Sequence, residues 1–243
     1  MRRHFSIVSR PYSTARCKKR RKTTMKIAII GTGHIGGTLT RRLTKLGHQV
    51  SIANSRGPQT LADLAAETGA TPGVPRDIVQ GADIVIVTIP QKNIPNLPKD
   101  LFANVPETTV VIDTGNYYPK QRDGKIEEIE AGMPESRWVE KQLGRPVIKV
   151  FNNIYAKHLL EKGVPAGTPG RIALPVAGDD PVAKQKVMQL VDELGFDPVD
   201  AGTLDESWRQ QPGTPCYGAD LDAKGLKEAL QAASPVRTAE WRA

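Results

Sequence analysis

Short apolar runs alternate along the chain with stretches whose apolar residues recur every three or four positions. The run from Lys26 to Ile30 is closed by a glycine and predicts a buried strand. The next segment predicts a helix whose apolar face carries Ile35, Leu39, Leu43 and Leu46. Further strands are predicted at 48–54, 70–74, 83–90, 109–116, 146–153, 171–178 and 196–202, and further helices at 58–69, 135–143, 180–195 and 222–233.

This alternation of strands and helices predicts an α/β fold. We expect a Rossmann-type, doubly wound and mostly parallel sheet with helices on both faces, followed by a short C-terminal helical extension. Ligands of such sheets bind beyond the carboxyl ends of the strands. The segments that directly follow predicted strands are therefore the candidate binding segments, and they are 31–37, 54–58, 88–91, 113–119 and 151–155.

The net charge of +8 comes from the start of the chain. The first 24 residues hold nine lysines and arginines and no acid, which leaves 25 basic residues against 26 acidic ones in the rest. We therefore expect no nucleic acid partner. Residues 1–24 are interpreted as a disordered basic leader or as the product of a mis-assigned start before Met25, with an organelle transit peptide as the alternative.

The cysteines and histidines argue against a disulfide-linked or metal-binding protein. Cys17 and Cys216 cannot form a disulfide framework or a zinc site, and the four histidines lack metal-ligand spacing. No apolar run reaches the roughly 18 residues that a membrane span needs. We expect a soluble, cytoplasmic protein with no metal site and no membrane partner.

The sequence GTGHIG matches the pattern G-x-G-x-x-G between a predicted strand and a predicted helix. In this context Gly31 permits a tight turn, Gly33 lets the backbone approach a pyrophosphate, and Gly36 lets helix and strand pack closely. The helix N-terminus adds unpaired N–H groups. The loop therefore predicts dinucleotide binding through Gly31, Thr32, Gly33, His34, Ile35 and Gly36.

The sequence NSRGP follows the second predicted strand, where chains that bind NAD usually carry an acid for the ribose. This chain has Asn54, Ser55 and Arg56 there, and the nearest acid, Asp63, falls inside the next predicted helix. Arg56 can hold a 2′-phosphate that a carboxylate would repel, and the two polar side chains can add donors. The pattern favours NADP(H); the alternative is an ordinary surface arginine in a loop that tolerates NAD.

The segments MKIAIIGTGHIGGTL, NSRGP, TIPQ and KVFNNI together resemble the coenzyme F420-dependent NADP oxidoreductase family over residues 25–202. The resemblance implies hydride exchange between NADP(H) and a deazaflavin, with pyrophosphate on the glycine loop and the 2′-phosphate on Ser55 and Arg56. It also implies that Thr88, Ile89 and Pro90 line the path from adenosine to nicotinamide. Phe151 and Asn152 match a phenylalanine–asparagine pair that follows the sixth strand in relatives, which makes Asn152 a candidate cofactor-binding residue. The chain departs from the family pattern at His34 and Ile35, in DTGNYYP, and in its tail.

No dedicated catalytic residue is identified, because hydride transfer between two rings can proceed without an acid or base. The tyrosine–lysine pair of short-chain dehydrogenases is absent, as are a P-loop and a G-x-S-x-G motif. Asn116, with Tyr117 and Tyr118, is a candidate to line the substrate pocket or a simple polar turn. His158 is interpreted as a surface residue with catalysis as the alternative, and 204–218 as a lid over the nicotinamide or a subunit contact.

The sequence thus predicts an NADP-binding Rossmann domain at 25–202 and a C-terminal loop and helix at 203–243 that pack on it. The predicted function is hydride transfer between NADP(H) and a deazaflavin, flavin or related small electron acceptor, with a homodimer as an open expectation. One rival is an NADPH-dependent carbonyl or imine reductase, although only about 40 residues remain for its second domain. The other rival is a non-enzymatic NADPH sensor.

Overall fold

The computed structural model describes residues 23–243, so the interpretation of the leader concerns residues that lie almost entirely outside it. Six parallel strands form one sheet in the order β3-β2-β1-β4-β5-β6. The strands are β1 (Lys26–Ile30), β2 (Gln49–Ala53), β3 (Thr71–Pro72), β4 (Ile84–Val87), β5 (Val110–Asp113) and β6 (Val147–Lys149). This strand order confirms the predicted Rossmann-type α/β fold.

Helices connect the strands and cover both faces of the sheet. The α-helices are α1 (His34–Lys45), α2 (Ala62–Thr68), α3 (Pro75–Ile78), α4 (Glu127–Glu130), α5 (Glu135–Leu143), α6 (Ala156–Glu161), α7 (Pro181–Glu193) and α8 (Ala223–Ala232). Segments of 3-10 helix occur at Pro58–Leu61, Gln91–Asn96, Leu204–Gln210 and Ala239–Trp241, and a π-helical turn at Pro119–Asp123. No helix within residues 23–243 is long and apolar enough to cross a membrane.

The unbroken apolar runs of the central strands supply two cores at once. Along β4, Ile84 and Ile86 join the core that packs under α1 and α7, whereas Val85 and Val87 join the core under α5. All four side chains are at most 1% exposed. A strand that is buried on both faces needs no polar positions, which explains why its sequence does not alternate.

The strands are shorter than the apolar runs predicted. The run 83–90 forms a strand only at β4, and the run 146–153 forms one only at β6. The residues that leave the ladder early lie at the carboxyl edge of the sheet. They are therefore the residues available to contact a ligand there.

The last two predicted strands do not extend the main sheet. β7 (Ala173–Val176) and β8 (Asp197–Asp200) pair in parallel as a separate two-stranded sheet. A single antiparallel bridge between Lys149 and Ala177 connects it with β6. Periodicity predicts that a strand exists but not which strand it pairs with. The division of the strands into two sheets could therefore not be predicted from the sequence.

Capping contacts explain where the later helices begin. Asp180 caps α7 by accepting the N–H groups of Val182 and Ala183 at 2.8 and 3.2 Å. The apolar face of α8, with Leu226 and Leu230, packs on the small sheet. The segment 204–218 was predicted as a loop, but its first seven residues form a 3-10 helix that starts with a capping box.

Candidate nucleotide and acceptor site

Close backbone contacts exclude side chains from two positions of the glycine loop. Gly31 has a φ of +103°, and a Cβ built there would lie 2.3 Å from the carbonyl oxygen of Thr88. A Cβ built on Gly36 would lie 1.9 Å from the carbonyl oxygen of Gly31. Real Cβ atoms do not approach so closely. The turn and the contact between strand and helix therefore require glycine at both positions.

Gly33 faces open space instead. It is exposed, and a Cβ built there would meet nothing within 4 Å. It directly precedes α1, whose first turn carries no acidic side chain and whose first N–H groups have no partner within the helix. This open, electropositive position fits a pyrophosphate. Around it, His34 is exposed, while Thr32 and Ile35 are half-buried.

The loop after β2 leaves one cation free. The Asn54 side chain fixes the loop, because its Oδ1 accepts the Arg56 N–H at 2.9 Å and its Nδ2 donates to Thr60 Oγ1 at 2.9 Å. Ser55 and Arg56 are exposed. Within residues 23–243 the Arg56 guanidinium makes no hydrogen bond or ion pair. The loop therefore presents an unpaired positive charge beside the carboxyl end of β2.

Thr88, Ile89 and Pro90 follow β4 and form a half-buried wall beside the glycine loop. The Thr88 N–H donates to the Ile30 carbonyl at 2.9 Å, which keeps the start of this segment beside the end of β1. The Ile89 side chain also lies against Gly31. The residues predicted to line the nucleotide path are thus adjacent to the predicted phosphate loop.

A buried ion pair supports the turn that follows β5. Lys149 Nζ lies 3.0 Å from Asp113 Oδ2, and the two side chains are 0% and 1% exposed. Lys149 also donates to the Gly115 carbonyl, and Asp113 Oδ1 accepts the Gly115 N–H at 2.8 Å. Ser136 Oγ donates to the same carboxylate at 2.8 Å. The pair holds both polar groups of Gly115 and so fixes the position of Asn116.

Asn116 and Asn152, predicted from two different strand ends, are in direct contact. Asn116 Nδ2 donates to the Asn152 carbonyl at 2.9 Å, and Asn152 Nδ2 lies 3.1 Å from Asn116 Oδ1. Gln210 completes the cluster, because its Nε2 donates to Asn152 Oδ1 at 2.9 Å and its carbonyl accepts from Asn152 Nδ2 at 2.6 Å. These three residues, named here the amide cluster, leave Asn116 half-buried at the edge.

A strained residue turns the chain into this cluster. Phe151 has a φ of +65° and is fully buried, and within residues 23–243 it is the one non-glycine residue with a positive φ. Such a conformation costs about 1–3 kcal/mol and persists where the surroundings enforce it. The turn takes the chain out of β6 and brings Asn152 against Asn116 and Gln210.

An aromatic group lies beside the amide cluster. The hydroxyls of Tyr118 and Tyr217 form a hydrogen bond, and the ring of Trp241 lies 6.1 Å, between centroids, from each tyrosine ring. We call these three residues the aromatic wall. Burial raises the pKa of Tyr118, and burial together with the Tyr118 hydroxyl raises the pKa of Tyr217. Both hydroxyls are therefore protonated at neutral pH.

Tyr117 does not line this edge, which corrects one sequence-based expectation. It is fully buried in the core under α5, and burial raises its pKa to about 12. Its N–H donates to Glu135 Oε2 at 3.0 Å, and its hydroxyl donates to Glu130 Oε1 at 3.1 Å. The side chains of consecutive residues leave an extended chain on opposite sides, so only Tyr118 reaches the edge.

The C-terminal segment is anchored by a second buried charge. Glu135, at the start of α5, is 0% exposed and pairs with Arg237. Arg237 Nη2 also lies 3.2 Å from Gln211 Oε1, and its Nη1 donates to the Trp241 carbonyl at 3.0 Å. These contacts hold the last turn of the chain against the residues after β5 and keep Trp241 in the aromatic wall.

His158 lies outside the group of side chains at this edge. Its Nδ1 lies 3.0 Å from Asp220 Oδ1, and the same carboxylate accepts from Lys162 Nζ at 2.6 Å. These contacts tie α6 to the segment before α8. This is a structural role, in line with the interpretation of His158 as a surface residue.

Sequence reasoning missed three residues of this edge, Gln210, Arg237 and Trp241. Each reaches the strand ends through a contact between residues far apart in sequence, such as the 58 positions that separate Asn152 from Gln210. Spacing between neighbouring residues carries no record of such contacts. For Gln210 the available signal was the density of large and amide side chains in WRQQPGTPCYG, and the pattern holds no such signal for Arg237 or Trp241.

These features together are those of a dinucleotide-binding Rossmann protein: the glycine loop, the unpaired arginine after β2, and the polar residues at the strand ends. Residues 26–117 match the family model described as "NADP oxidoreductase coenzyme F420-dependent". A hypothetical protein SMa0349 of Sinorhizobium meliloti is 30% identical, with 82% of this chain and 95% of that chain covered and a TM-score of 0.68. This chain belongs to the coenzyme F420-dependent NADP oxidoreductase family.

Two further proteins show how far the similarity extends. A "putative f420 dependent nadp-reductase" from Arthrobacter sp. FB24 is 24% identical, with 74% and 86% of the chains covered and a TM-score of 0.61, and it shares the fold. Protein YjhV of Escherichia coli (strain K12) is 51% identical over 67 residues, which are 28% of this chain. The matched part is 49% of the length of YjhV, so this relative informs only part of the chain.

Proposed function

We propose that this protein binds NADP(H) along the carboxyl edge of the sheet and transfers a hydride between it and a deazaflavin, a flavin or a related small acceptor. The observation that carries the proposal is the unpaired Arg56 beside an open glycine loop. An exposed arginine that makes no ion pair within residues 23–243 suits a 2′-phosphate and offers no acceptor to a ribose hydroxyl. Family membership supports the same cofactor.

The residues at the edge fit this nucleotide from end to end. Gly33 and the N–H groups of α1 would hold the pyrophosphate, because space and partial positive charge meet there. Ser55 and Arg56 would hold the 2′-phosphate, and Asn54 would keep their loop in shape. Thr88, Ile89 and Pro90 would flank the path, and the bound nucleotide would supply the hydride. His34 and Thr32 would face the phosphates at the same loop.

The amide cluster would orient the nicotinamide end. Asn116 and Asn152 each carry a carboxamide that can both donate and accept. Their mutual hydrogen bonds and those of Gln210 restrict their rotation, so the groups are preorganised before a ligand arrives. A fixed donor and acceptor pair at the ends of β5 and β6 suits an uncharged, flat amide ligand more than a second phosphate.

A charge reversal at Arg56 tests the cofactor assignment. Arg56→Glu replaces the phosphate partner with a repelling group, and we expect NADPH to bind about 10- to 100-fold more weakly, since charge-assisted hydrogen bonds contribute about 1.5–3 kcal/mol. NADH affinity should change less than about twofold. Binding would be measured by fluorescence titration of both nucleotides on the full chain.

Arg76→Glu is the matched control, since it makes the same charge change in α3, outside the glycine loop and outside the loop after β2. Arg76 is 59% exposed and pairs with the exposed Asp100, so its loss should leave both nucleotide affinities unchanged. Equal losses of NADPH and NADH affinity in Arg56→Glu would overturn the proposed 2′-phosphate site.

Reduction of a carbonyl or imine is the second candidate. The observation that favours it is the hydroxyl pair of Tyr118 and Tyr217 beside the amide cluster, because such substrates need a proton as well as a hydride. A non-enzymatic NADPH sensor is the rival to both, and it predicts tight NADPH binding without turnover of any acceptor.

A further inference from the structure

We infer that Tyr118 donates the proton that accompanies hydride transfer, with Tyr217 placed to return a proton to it. This inference rests on the proposed function, since it needs a hydride from NADPH. The substrates it implies are molecules in which the carbon that gains the hydride is double-bonded to, or conjugated with, a nitrogen or oxygen atom. A carbonyl, an imine and a deazaflavin ring all share this chemistry.

The position of Tyr118 is the first support. It follows β5 by five residues and lies on the same turn as Asn116, whose carbonyl accepts from Arg122. The Arg122 guanidinium lies 4.8 Å from the centre of the Tyr118 ring. The ring is therefore held from one side while its hydroxyl remains next to the amide cluster. The nicotinamide end of a dinucleotide lies at this part of a Rossmann sheet.

The hydroxyl contact with Tyr217 is the second support. The two residues are 99 positions apart in sequence, and their hydroxyls form a direct hydrogen bond. In such a pair one hydroxyl donates to the other, and the second keeps its own proton free to donate outward. The ring of Trp241 packs beside both tyrosine rings, with 6.1 Å between the centroids in each case.

Burial keeps the hydroxyl pair in the protonated form. Burial has the largest effect and raises the pKa of Tyr118, whereas the Tyr217, Arg122 and Asn116 side chains lower it. Glu135 raises the pKa of both hydroxyls, and Tyr155 adds to that of Tyr217. A tyrosine that stays neutral at physiological pH can serve as a general acid during the reaction.

The proposed reaction takes up one proton for each hydride transferred. The acceptor carbon gains a hydride from NADPH, and its conjugated heteroatom takes the Tyr118 hydroxyl proton as the double bond between them is lost or shifted. Tyr118 oxygen then takes the Tyr217 hydroxyl proton, and water restores Tyr217. One NADPH, one proton and one acceptor are consumed, and NADP⁺ and the reduced acceptor are formed.

Tyrosine-to-phenylalanine variants test the inference because they keep the rings. For Tyr118→Phe and Tyr217→Phe we expect the rate of acceptor reduction to fall about 100-fold, at the lower end for loss of a general acid. NADPH affinity should stay within about twofold of the wild-type value. Tyr117→Phe is the control, since Tyr117 is buried in the core under α5 and its hydroxyl donates to Glu130 rather than to the hydroxyl pair. Acceptors would include a deazaflavin, a flavin, a cyclic imine and a 2-oxo acid, which separates the possible substrates.

The reverse reaction gives a second readout that a structural role would not move. With NADP⁺ and reduced acceptor, Tyr118 must accept a proton, so the logarithm of the wild-type rate should rise with pH. The rate in Tyr118→Phe should be independent of pH over the same range. A third readout needs no turnover: in tyrosine-labelled full-length protein, NMR should show Tyr118 titrating at higher pH in Tyr217→Phe than in the wild type, because Tyr217 lowers the pKa of Tyr118.

The outcomes separate this inference from the proposed function. Wild-type turnover that is unchanged in either tyrosine variant would overturn the inferred role of the pair and leave the proposed function standing. NADPH binding without turnover of any acceptor in the wild type would instead overturn the proposed function. A rate loss in both variants, with the pH dependence lost in Tyr118→Phe, supports the inference.

Discussion

The two ends of the carboxyl edge are built in different ways. The nucleotide end consists of short loops, 31–36 and 54–58, whose key features are local: two excluded Cβ atoms, one open glycine and one free arginine. The acceptor end consists of Asn116, Tyr118, Asn152 and the C-terminal segment, held together by contacts across 36 to 99 positions. One end can be recognised from spacing, and the other only from the fold.

Under the proposed function, this difference places the specificity for the nucleotide and the specificity for the acceptor in different parts of the chain. The family model matches residues 26–117, which include the nucleotide end and stop just before Tyr118. The proposed nucleotide site therefore lies within the part of the chain that the family model matches. The acceptor end is made by residues outside the matched range, apart from Asn116. We expect mutations at the two ends to change different quantities, and the following experiments test that separation.

The largest expected effect is on the acceptor end. Arg237→Ala leaves Glu135 buried without its charged partner, and removing one member of a buried pair costs about 3 kcal/mol or more. We expect the free energy of unfolding to fall by about that amount, the rate of acceptor reduction to fall with it, and NADPH affinity to stay constant. Chemical denaturation and nucleotide titration would measure both.

Arg242→Ala is the control for that variant, because Arg242 belongs to the same C-terminal segment but is 54% exposed and 3.6 Å from Glu130. Its loss should cost less than about 0.5 kcal/mol. If Arg237→Ala weakened NADPH binding as strongly as it slowed turnover, the two ends would not be separable.

Two glycine variants separate effects on stability from effects on NADPH affinity at the nucleotide end. Gly36→Ala places a Cβ 1.9 Å from the Gly31 carbonyl oxygen, so we expect a loss of about 1–3 kcal/mol of stability together with a loss of NADPH affinity. Gly33→Ala meets no protein atom and should fold normally, yet weaken NADPH by hindering approach of the pyrophosphate. Normal NADPH affinity in Gly33→Ala would show that the pyrophosphate does not lie there.

The smallest expected effect concerns Asp220, which pairs with His158 and Lys162 and belongs to neither the amide cluster nor the aromatic wall. Burial acts to raise the pKa of Asp220, but hydrogen bonds from Lys162 and His158 outweigh it and hold the pKa below its usual range. Its stabilising contribution is therefore present above the unfolded value, near 4, and is lost as pH falls through the folded pKa.

Asp220→Asn should accordingly cost about 0.5 kcal/mol at pH 7 and almost nothing at pH 2, with turnover unchanged. Thermal unfolding at both pH values would measure this. A large loss of turnover in this variant would return His158 to the list of functional residues, since Asp220 is its hydrogen-bond partner.

The fold was predictable because buried parallel strands leave a strong pattern. The apolar runs that became β1 and β4, and the periodic face of α1, are dictated by burial alone. The separate pairing of β7 with β8 was not predictable, because pairing depends on where α6 and the long connection after it lead the chain. Strand lengths were overestimated where the segment after a strand, such as 88–90, continues the apolar run.

The site, like the fold, has residues that the sequence predicts and residues that it does not. Asn116 and Asn152 were found because they directly follow strands, whereas Gln210 and Trp241 were not, because their positions depend on how the C-terminal segment packs. Tyr117 and Tyr118 are adjacent in sequence, yet one is core and the other edge. Spacing alone could not separate them, since the choice depends on which side of the chain Glu135 occupies.

The most direct test of the account is an anaerobic absorbance assay on the full chain, which follows oxidation of NADPH and of NADH with coenzyme F420, and in parallel with a free flavin. The account predicts that NADPH is oxidised, that it is preferred to NADH, and that the preference disappears in Arg56→Glu. Tight NADPH binding with no transfer to any acceptor would contradict the proposed reaction and leave a nucleotide-binding protein in its place.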